Sequence, residues 1–293
     1  YEYKTQGTWQ QITDTFCAKL KELSENIASL DEIKACGVSC GSPLNGRKGI
    51  IMSPPNLSGW DNVAICDYIK KKTGIDTYLF NDADACALAE WRYGAGKGKT
   101  NVIFVTFGTG FGAGLILNGR LYEGACNLAG EIGHVRLKSR GTEGYGKIGS
   151  VESFCSGAGI AKQAAIYFKN KLKKGIKSPL CESYDDIKNL TAKKVAEAAF
   201  NNDADAIKIY SECGKNLGKS LAILIDLLNP EMIIIGGVYM RSHSLLTKDM
   251  YRQLKRECLP ESLKSVEIVP SELHEQIGDY GAIVAAIYGM ERK

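Results

Sequence analysis

Gly108-Thr109-Gly110-Phe111-Gly112-Ala113-Gly114 follows an apolar run and is the first of several stretches whose residue types could do chemistry. Glycines let the backbone take positive φ and bring N–H groups against a phosphate with no Cβ in the way, and the Thr109 hydroxyl suits a phosphate oxygen. The same glycines would serve a bulged hairpin turn. No Gly-Lys-Ser/Thr follows, so this is not a Walker A loop. A strand comes next where a dinucleotide fingerprint needs a helix. Phe80-Asn81-Asp82-Ala83-Asp84-Ala85 reads as a strand end meeting a helix start. A carboxylate there points into the crevice where open α/β sheets bind ligands, so Asp82 could accept a proton from a hydroxyl; it would also make a good helix N-cap. Helix N–H groups would keep its pKa low, which phosphoryl transfer tolerates because positioning and charge neutralisation outweigh basicity there.

Gly130-Glu131-Ile132-Gly133-His134 is followed, beyond a glycine-rich stretch, by Glu152. In a helical turn Glu131 and His134 share a face, and with Glu152 they would line a pocket for several hydroxyl groups. A lone histidine is otherwise commonly structural. Gly236-Gly237 closes a short apolar strand and could let an adenine or ribose lie on bare backbone, or admit a closely packed helix.

The elements that must position these residues alternate along the chain. Apolar residues at helical spacing predict a helix over 9–27, with Ile12, Phe16, Leu20, Leu23 and Ile27 on one face. Residues 1–5 read as the end of a strand. A strand is expected over 35–40, then a loop through Ser42-Pro43 and Pro54-Pro55-Asn56-Leu57-Ser58-Gly59-Trp60. Asp61 is expected to cap a helix running to about Lys72, followed by a strand over 77–80 and a helix over 82–91. Gly94-Ala95-Gly96-Lys97-Gly98-Lys99 predicts a boundary between residues 1–94 and 95–276, with a last helix over 277–293 packing back on the first part. Strands over 102–107 and 115–117 and at 120–122 predict an antiparallel meander. A long amphipathic helix over 204–228 should stop at Asn229-Pro230, before strands over 232–235 and 266–269.

The chain has 293 residues, 44% hydrophobic and 24% charged, enough for two domains. A net charge of +4 with scattered lysines gives no nucleic-acid footprint. The run Lys70-Lys71-Lys72 reads as a solvated helix end. Ten cysteines without a CxxC pair fit reduced thiols in a cytoplasm, and no stretch is apolar enough to span a membrane.

In order, Pro55-Asn56-Leu57-Ser58-Gly59-Trp60, Asn81-Asp82-Ala83, Phe107 to Gly114, Gly130 to His134, Leu228-Asn229-Pro230-Glu231 and Ile235-Gly236-Gly237 resemble the ROK family of sugar kinases and repressors. The match runs from about residue 36 to the end. The resemblance implies the actin-like, ribonuclease-H-like two-lobed α/β fold closing on a sugar and ATP, with Asp82 as catalytic base. Asn56, Asn81, Glu131, His134 and Glu152 would bind the sugar. Gly108, Thr109 and Gly110 would cradle the phosphates, with Gly236 and Gly237 at the nucleotide, magnesium as bridging ion and a cytoplasmic homodimer as the assembly.

The sequence departs from that pattern in two places. Many members carry CxCGxxGCxE after the histidine and bind a structural zinc; here those cysteine positions hold Glu143, Tyr145 and Ser150, so no zinc is expected. A DxGGT loop preceding the first helix has no counterpart, which implies an incomplete N-terminal lobe. Three functions fit: an ATP-dependent kinase acting on the 6-hydroxyl of glucose or an N-acetylhexosamine, a catalytically silent sugar-binding protein, and the sugar-binding part of a repressor.

Overall fold

The computed structural model describes residues 6–27 and 32–292; the strand expected over 1–5 lies outside them. Helix α1 (Trp9–Ile27) forms where its periodicity puts it, with Ile12, Phe16 and Leu20 packed on a core that includes Leu44, Ile51, Trp60, Ile69 and Leu79, whereas Leu23, expected on the same face, is exposed. Strand β1 (Cys36–Cys40) precedes a small hairpin of β2 (Leu44–Asn45) and β3 (Ile50–Ile51). Helix α2 (Ile65–Thr73) leads to β4 (Thr77–Asn81), parallel to β1 with Cys40 opposite Asn81.

The start of α2 differs from the sequence expectation. Asp61 does not cap it; Ala64 is the N-cap residue and gives no side-chain bond. Val63 is bridged to Ile51 by N–H···O bonds of 2.8 and 2.9 Å, which holds the preceding residues out of helical conformation. Asp61 instead accepts a hydrogen bond from the Ser53 hydroxyl at 2.5 Å. The lysine-rich end is solvated as expected, with Lys70 on Asp76 and Lys72 on Asp14.

Helix α3 (Asp82–Tyr93) follows β4 without a break. Strands β5 (Val102–Phe107), β6 (Phe111–Leu117) and β7 (Arg120–Leu121) form the meander. A second short hairpin, β8 (Glu143–Gly144) with β9 (Lys147–Ile148), precedes α4 (Val151–Phe154) and α5 (Gly157–Leu172). Then come α6 (Ala192–Phe200), α7 (Ala204–Leu228), β10 (Met232–Ile235), α8 (Val238–Glu257), α9 (Pro260–Ser265), β11 (Glu267–Pro270) and α10 (Ile277–Glu291).

The main sheet has the order β11-β10-β5-β6-β7, with β10 parallel to both its neighbours and the meander antiparallel. Both faces are covered, which is why β10 and β5, except for Thr106 near its end, are apolar rather than alternating. Ile103, Val105 and Phe107 join Ile233 and Ile235 against the helices from α5 to α8. Val102 and Phe104 join Met232 and Ile234 on the opposite face, with Ala85, Leu88 and Val284 of α3 and α10. Helix α10 also packs on β1 and β4.

Buried Glu90 fastens the end of α3. Its carboxylate accepts from the Ser271 hydroxyl at 2.5 Å and the Leu273 N–H at 3.0 Å, and from the Ala95 N–H at 2.9 Å. One charged group thus serves donors from two chain segments, as burial of a carboxylate demands. Among the described residues no helix is long and apolar enough to cross a membrane.

Candidate functional site

Asn81 ends β4 and caps α3: its Oδ1 accepts from the N–H groups of Ala83 at 2.9 Å and Asp84 at 3.3 Å, while its Nδ2 donates to Ser42 Oγ at 2.9 Å. With capping done by Asn81, the Asp82 side chain is released to solvent at the junction of strand and helix. Among the described residues its Oδ1 takes only the adjacent Ala83 N–H, at 2.8 Å.

Strand β6 gathers the other groups. A Cβ on Gly114 would lie 2.3 Å from the Ala83 carbonyl oxygen, so only a glycine there lets the first turn of α3 rest on the strand. Gly130, at φ +83°, stands so close to β6 that a Cβ would lie 1.8 Å from the Ala113 carbonyl oxygen. The Gly130 carbonyl accepts the Ala113 N–H at 2.9 Å, and a tight 3-10 turn over Ile132–His134 follows. Glu131 is thereby fixed beside the hairpin. Glu152, in α4, reaches the same strand: its Oε2 accepts the Phe111 N–H at 3.1 Å.

Asp82 and Glu152 both stand close enough to Glu131 for their charges to act on it. Protein packed around the Glu131 carboxyl desolvates it, and the charges of Asp82 and Glu152 add repulsion, so its pKa lies above the usual carboxylate range although water still reaches it. Converging carboxylates are relieved by donors, and a polyol supplies several.

The turn Gly108-Thr109-Gly110 is exposed at its tip and closed by a Gly108 N–H to Gly110 carbonyl bond of 3.1 Å. Gly157, opening α5, donates to the Gly108 carbonyl at 2.8 Å. Gly237, at φ +65° before α8, lies where a Cβ would come within 2.2 Å of the Phe107 carbonyl oxygen. Two helix N-termini therefore adjoin the turn, an arrangement suited to an anion. Gly236 packs on the Phe104 ring of the neighbouring strand β5, a contact that is neither a nucleotide nor the closely packed helix the sequence suggested. The model of the ROK family matches residues 1–288.

The chain belongs to the ROK family. It is 31% identical to a glucokinase of Halalkalibacterium halodurans over 89% of this chain and 78% of that one. It is 26% identical to a xylose repressor of Caldicellulosiruptor bescii, over 87% of this chain and 63% of that one. The structure of a ROK family glucokinase from Streptomyces griseus in complex with glucose and AMPPNP superposes with a TM-score of 0.78 at 26% identity, covering 99% of this chain and 91% of that one. The α/β architecture described above is the actin-like fold of the ROK kinases.

Two other residues predicted for the ROK sugar site lie differently from the carboxylates. Asn56 is exposed on its loop because Leu57 and Trp60 are the parts anchored in the core, and among the described residues no hydrogen bond ties it to the carboxylates. His134 is exposed, its ring edge-on to Tyr145 at 6.0 Å between centroids, and its carbonyl accepts from Lys147 Nζ at 2.8 Å.

The zinc that many ROK proteins carry does not suit these residues. Ser150 caps α4 by accepting the Ser153 N–H at 3.3 Å, Tyr145 presents a ring, and Glu143 is the one charged oxygen donor among the replaced positions. A zinc site of this type needs thiolates. Hydrogen bonds fasten the segment instead: Thr142 Oγ1 donates to the Ser153 carbonyl at 2.5 Å, and Leu137 N–H to the Gly149 carbonyl at 2.8 Å. Incubation with EDTA is therefore expected to shift Tm by less than about 2 °C in calorimetry. A fall of ten degrees or more would reveal a structural metal held by other donors.

Sequence reasoning passed over Asp84, Glu123 and Gly157. Asp84 and Glu123 are buried, and Arg292 meets Glu123 at 2.6 Å. The signal for Asp84 was its place one turn before Ala87 and Leu88, both fully buried on α3.

Proposed function

We propose that this protein transfers the γ-phosphoryl group of ATP to a hydroxyl of a hexose, the 6-hydroxyl of glucose or an N-acetylhexosamine. The carrying observation is the meeting of two kinds of site on β6: a group of carboxylates beside an exposed glycine turn flanked by helix N-termini. Similarity to glucokinases supports the same reading.

In this mechanism Asn81, Glu131, His134 and Glu152 accept and donate hydrogen bonds to the sugar hydroxyls, with Asn56 joining from its loop. Asp82, free of capping duty, takes the proton of the attacking hydroxyl as its oxygen approaches phosphorus. The N–H groups of Thr109 and Gly110 face the phosphates, Gly108 closes the turn beneath them by its own N–H to the Gly110 carbonyl, and Gly236-Gly237 borders the rest of the nucleotide. Magnesium brought in with the nucleotide would supply charge neutralisation at the phosphates. Among the described residues no cluster of His, Cys, Asp and Glu would cage a cation alone. Residues 1–94 and 95–276 act as the two lobes, with 277–293 returning to the first; packing of α10 on β1 and β4 supports that division.

A sugar-responsive repressor or a silent sugar binder is the second reading, favoured by the similarity to a xylose repressor. An ADP-release assay against glucose, N-acetylglucosamine, N-acetylmannosamine and fructose separates them. Turnover with one sugar is expected. Sugar binding by calorimetry without ADP release would overturn the kinase and leave the sensor.

A further inference from the structure

We infer that Tyr145 is a positioning residue for the sugar, its ring holding the His134 imidazole in one orientation at the end of the turn that Glu131 opens; this rests on the sugar site of the reading above. Strands β8 and β9 pair with Gly144 opposite Lys147, which leaves Tyr145-Gly146 as a two-residue loop. Both loop residues have positive φ, 47° at Tyr145 and 71° at Gly146, the pattern of a type I′ hairpin turn. Asn, Asp and Gly favour the first of these positions, whereas a tyrosine there is held in a left-handed conformation that crowds its Cβ against its own chain. Burial does not offset that strain, because Tyr145 is 63% exposed.

What the ring touches is His134. The two rings meet edge to face, 6.0 Å between centroids and 78° between planes. Among the described residues no hydrogen bond restrains the imidazole nitrogens, so this contact is what limits how the exposed ring turns, and both nitrogens are left for hydroxyl groups. The backbone of His134 is fixed as well. Lys147 Nζ donates to its carbonyl at 2.8 Å, and a Cβ on the preceding Gly133 would lie 1.8 Å from the Phe111 carbonyl oxygen of β6. One hairpin thus grips His134 twice, by ring and by backbone.

The hairpin that carries the ring is itself anchored. Lys162 Nζ donates to the Glu143 carbonyl at 2.9 Å and Ser150 Oγ to the Gly144 carbonyl at 3.4 Å, while a Cβ on Gly144 would lie 2.7 Å from the backbone nitrogen of Ser153 in α4, the helix that bears Glu152. On the other side the Val151 N–H donates to the carbonyl of Val135, the residue after His134, at 2.8 Å. A ring at the tip of such a hairpin keeps a constant relation to the imidazole. Without it the imidazole would have to be ordered each time a hydroxyl binds, and that ordering would weaken binding. A strained residue that gains little from burial yet orients a neighbour is the pattern of a side chain kept for function rather than stability.

The test is calorimetric titration of the full chain with whichever hexose of the same panel binds most tightly, beside thermal unfolding, in wild type, Tyr145→Asn, Tyr145→Phe, His134→Ala and the double variant. Tyr145→Asn is expected to raise Tm by about 1–3 °C, because Asn suits the turn, and to weaken sugar binding about three- to tenfold. A residue that served only to hold the hairpin would not move the two in opposite directions. Tyr145→Phe keeps the ring and should bind within about twofold of wild type. In the His134→Ala background Tyr145→Asn should change the Kd by less than about 1.5-fold, since its effect runs through the imidazole. An unchanged Kd in Tyr145→Asn, an equal loss in the His134→Ala background, or a Tyr145→Asn chain that melts lower or does not fold overturns the positioning role and leaves the kinase standing. Failure of the wild type to bind any hexose of the panel overturns the kinase reading and the positioning role with it.

Discussion

Asp82→Asn is expected to lower kcat by about 10²- to 10⁴-fold while changing sugar affinity by no more than about threefold. The substitution keeps shape and keeps an oxygen for the Ala83 N–H, which Asp82 now accepts at 2.8 Å. Helix α3 should start unchanged because its cap is Asn81, not Asp82. What is lost is the capacity to take a proton from the sugar hydroxyl. Loss of the charge also lets Glu131 ionise more readily, since Asp82 is the larger of the two charges raising its pKa. Steady-state kinetics beside calorimetry separates these effects. A kcat within tenfold of wild type would remove Asp82 as the base, and a sugar Kd weakened a hundredfold would make it a binding residue instead.

Much of the framework was legible because it is written in local pattern. The long helix at Ala204–Leu228 and the strand at Met232–Ile235 fall where apolar periodicity and the Asn229-Pro230 stop put them. Asn229 sits at φ 42° as the helix C-cap, so local chemistry and the global fold agree there. The start of α2 was not legible, because the Val63 to Ile51 bridge that delays it comes from a separate strand.

The site divides along the same line. Residue types betrayed the Asp82, Glu131 and Glu152 carboxylates, but not how they meet. The glycines at 114 and 130 looked like material for a phosphate loop or turn; in the structure they let α3 and the Glu131 segment touch β6. Each meets a backbone far away in sequence, which spacing cannot reveal. The Glu152 to Phe111 bond is of the same kind, made by residues 41 positions apart. Buried acids leave an even weaker trace, since Asp and Glu in a helix ordinarily mark a solvated face.

Asp84 is the acid whose burial has the largest measurable consequence. It is 5% exposed, and its carboxyl is pushed up to about 8 by burial first, then by the charges of Glu123, Asp82 and Glu131, with Arg292 pulling the other way. Arg292 is already engaged by Glu123, which also accepts from Asn127 Nδ2 at 3.1 Å, so it compensates Asp84 only in part. The folded chain therefore keeps a proton that the unfolded chain, with Asp near 3.8, gives up. Stability from this group is fully present below the unfolded value and is lost progressively as pH rises from about 4 to about 8. Asn at this position resembles the protonated acid and cannot ionise. Asp84→Asn should consequently flatten the pH profile, matching wild type near pH 5 to within about 1 kcal/mol and exceeding it by about 2 kcal/mol at pH 8. Urea unfolding at the two pH values, with reductant to keep the free cysteines reduced, reads the difference directly. Parallel profiles for the two proteins would mean that Asp84 ionises normally in the fold and that water or Arg292 solvates it; a variant less stable at pH 8 would mean that its charge is needed.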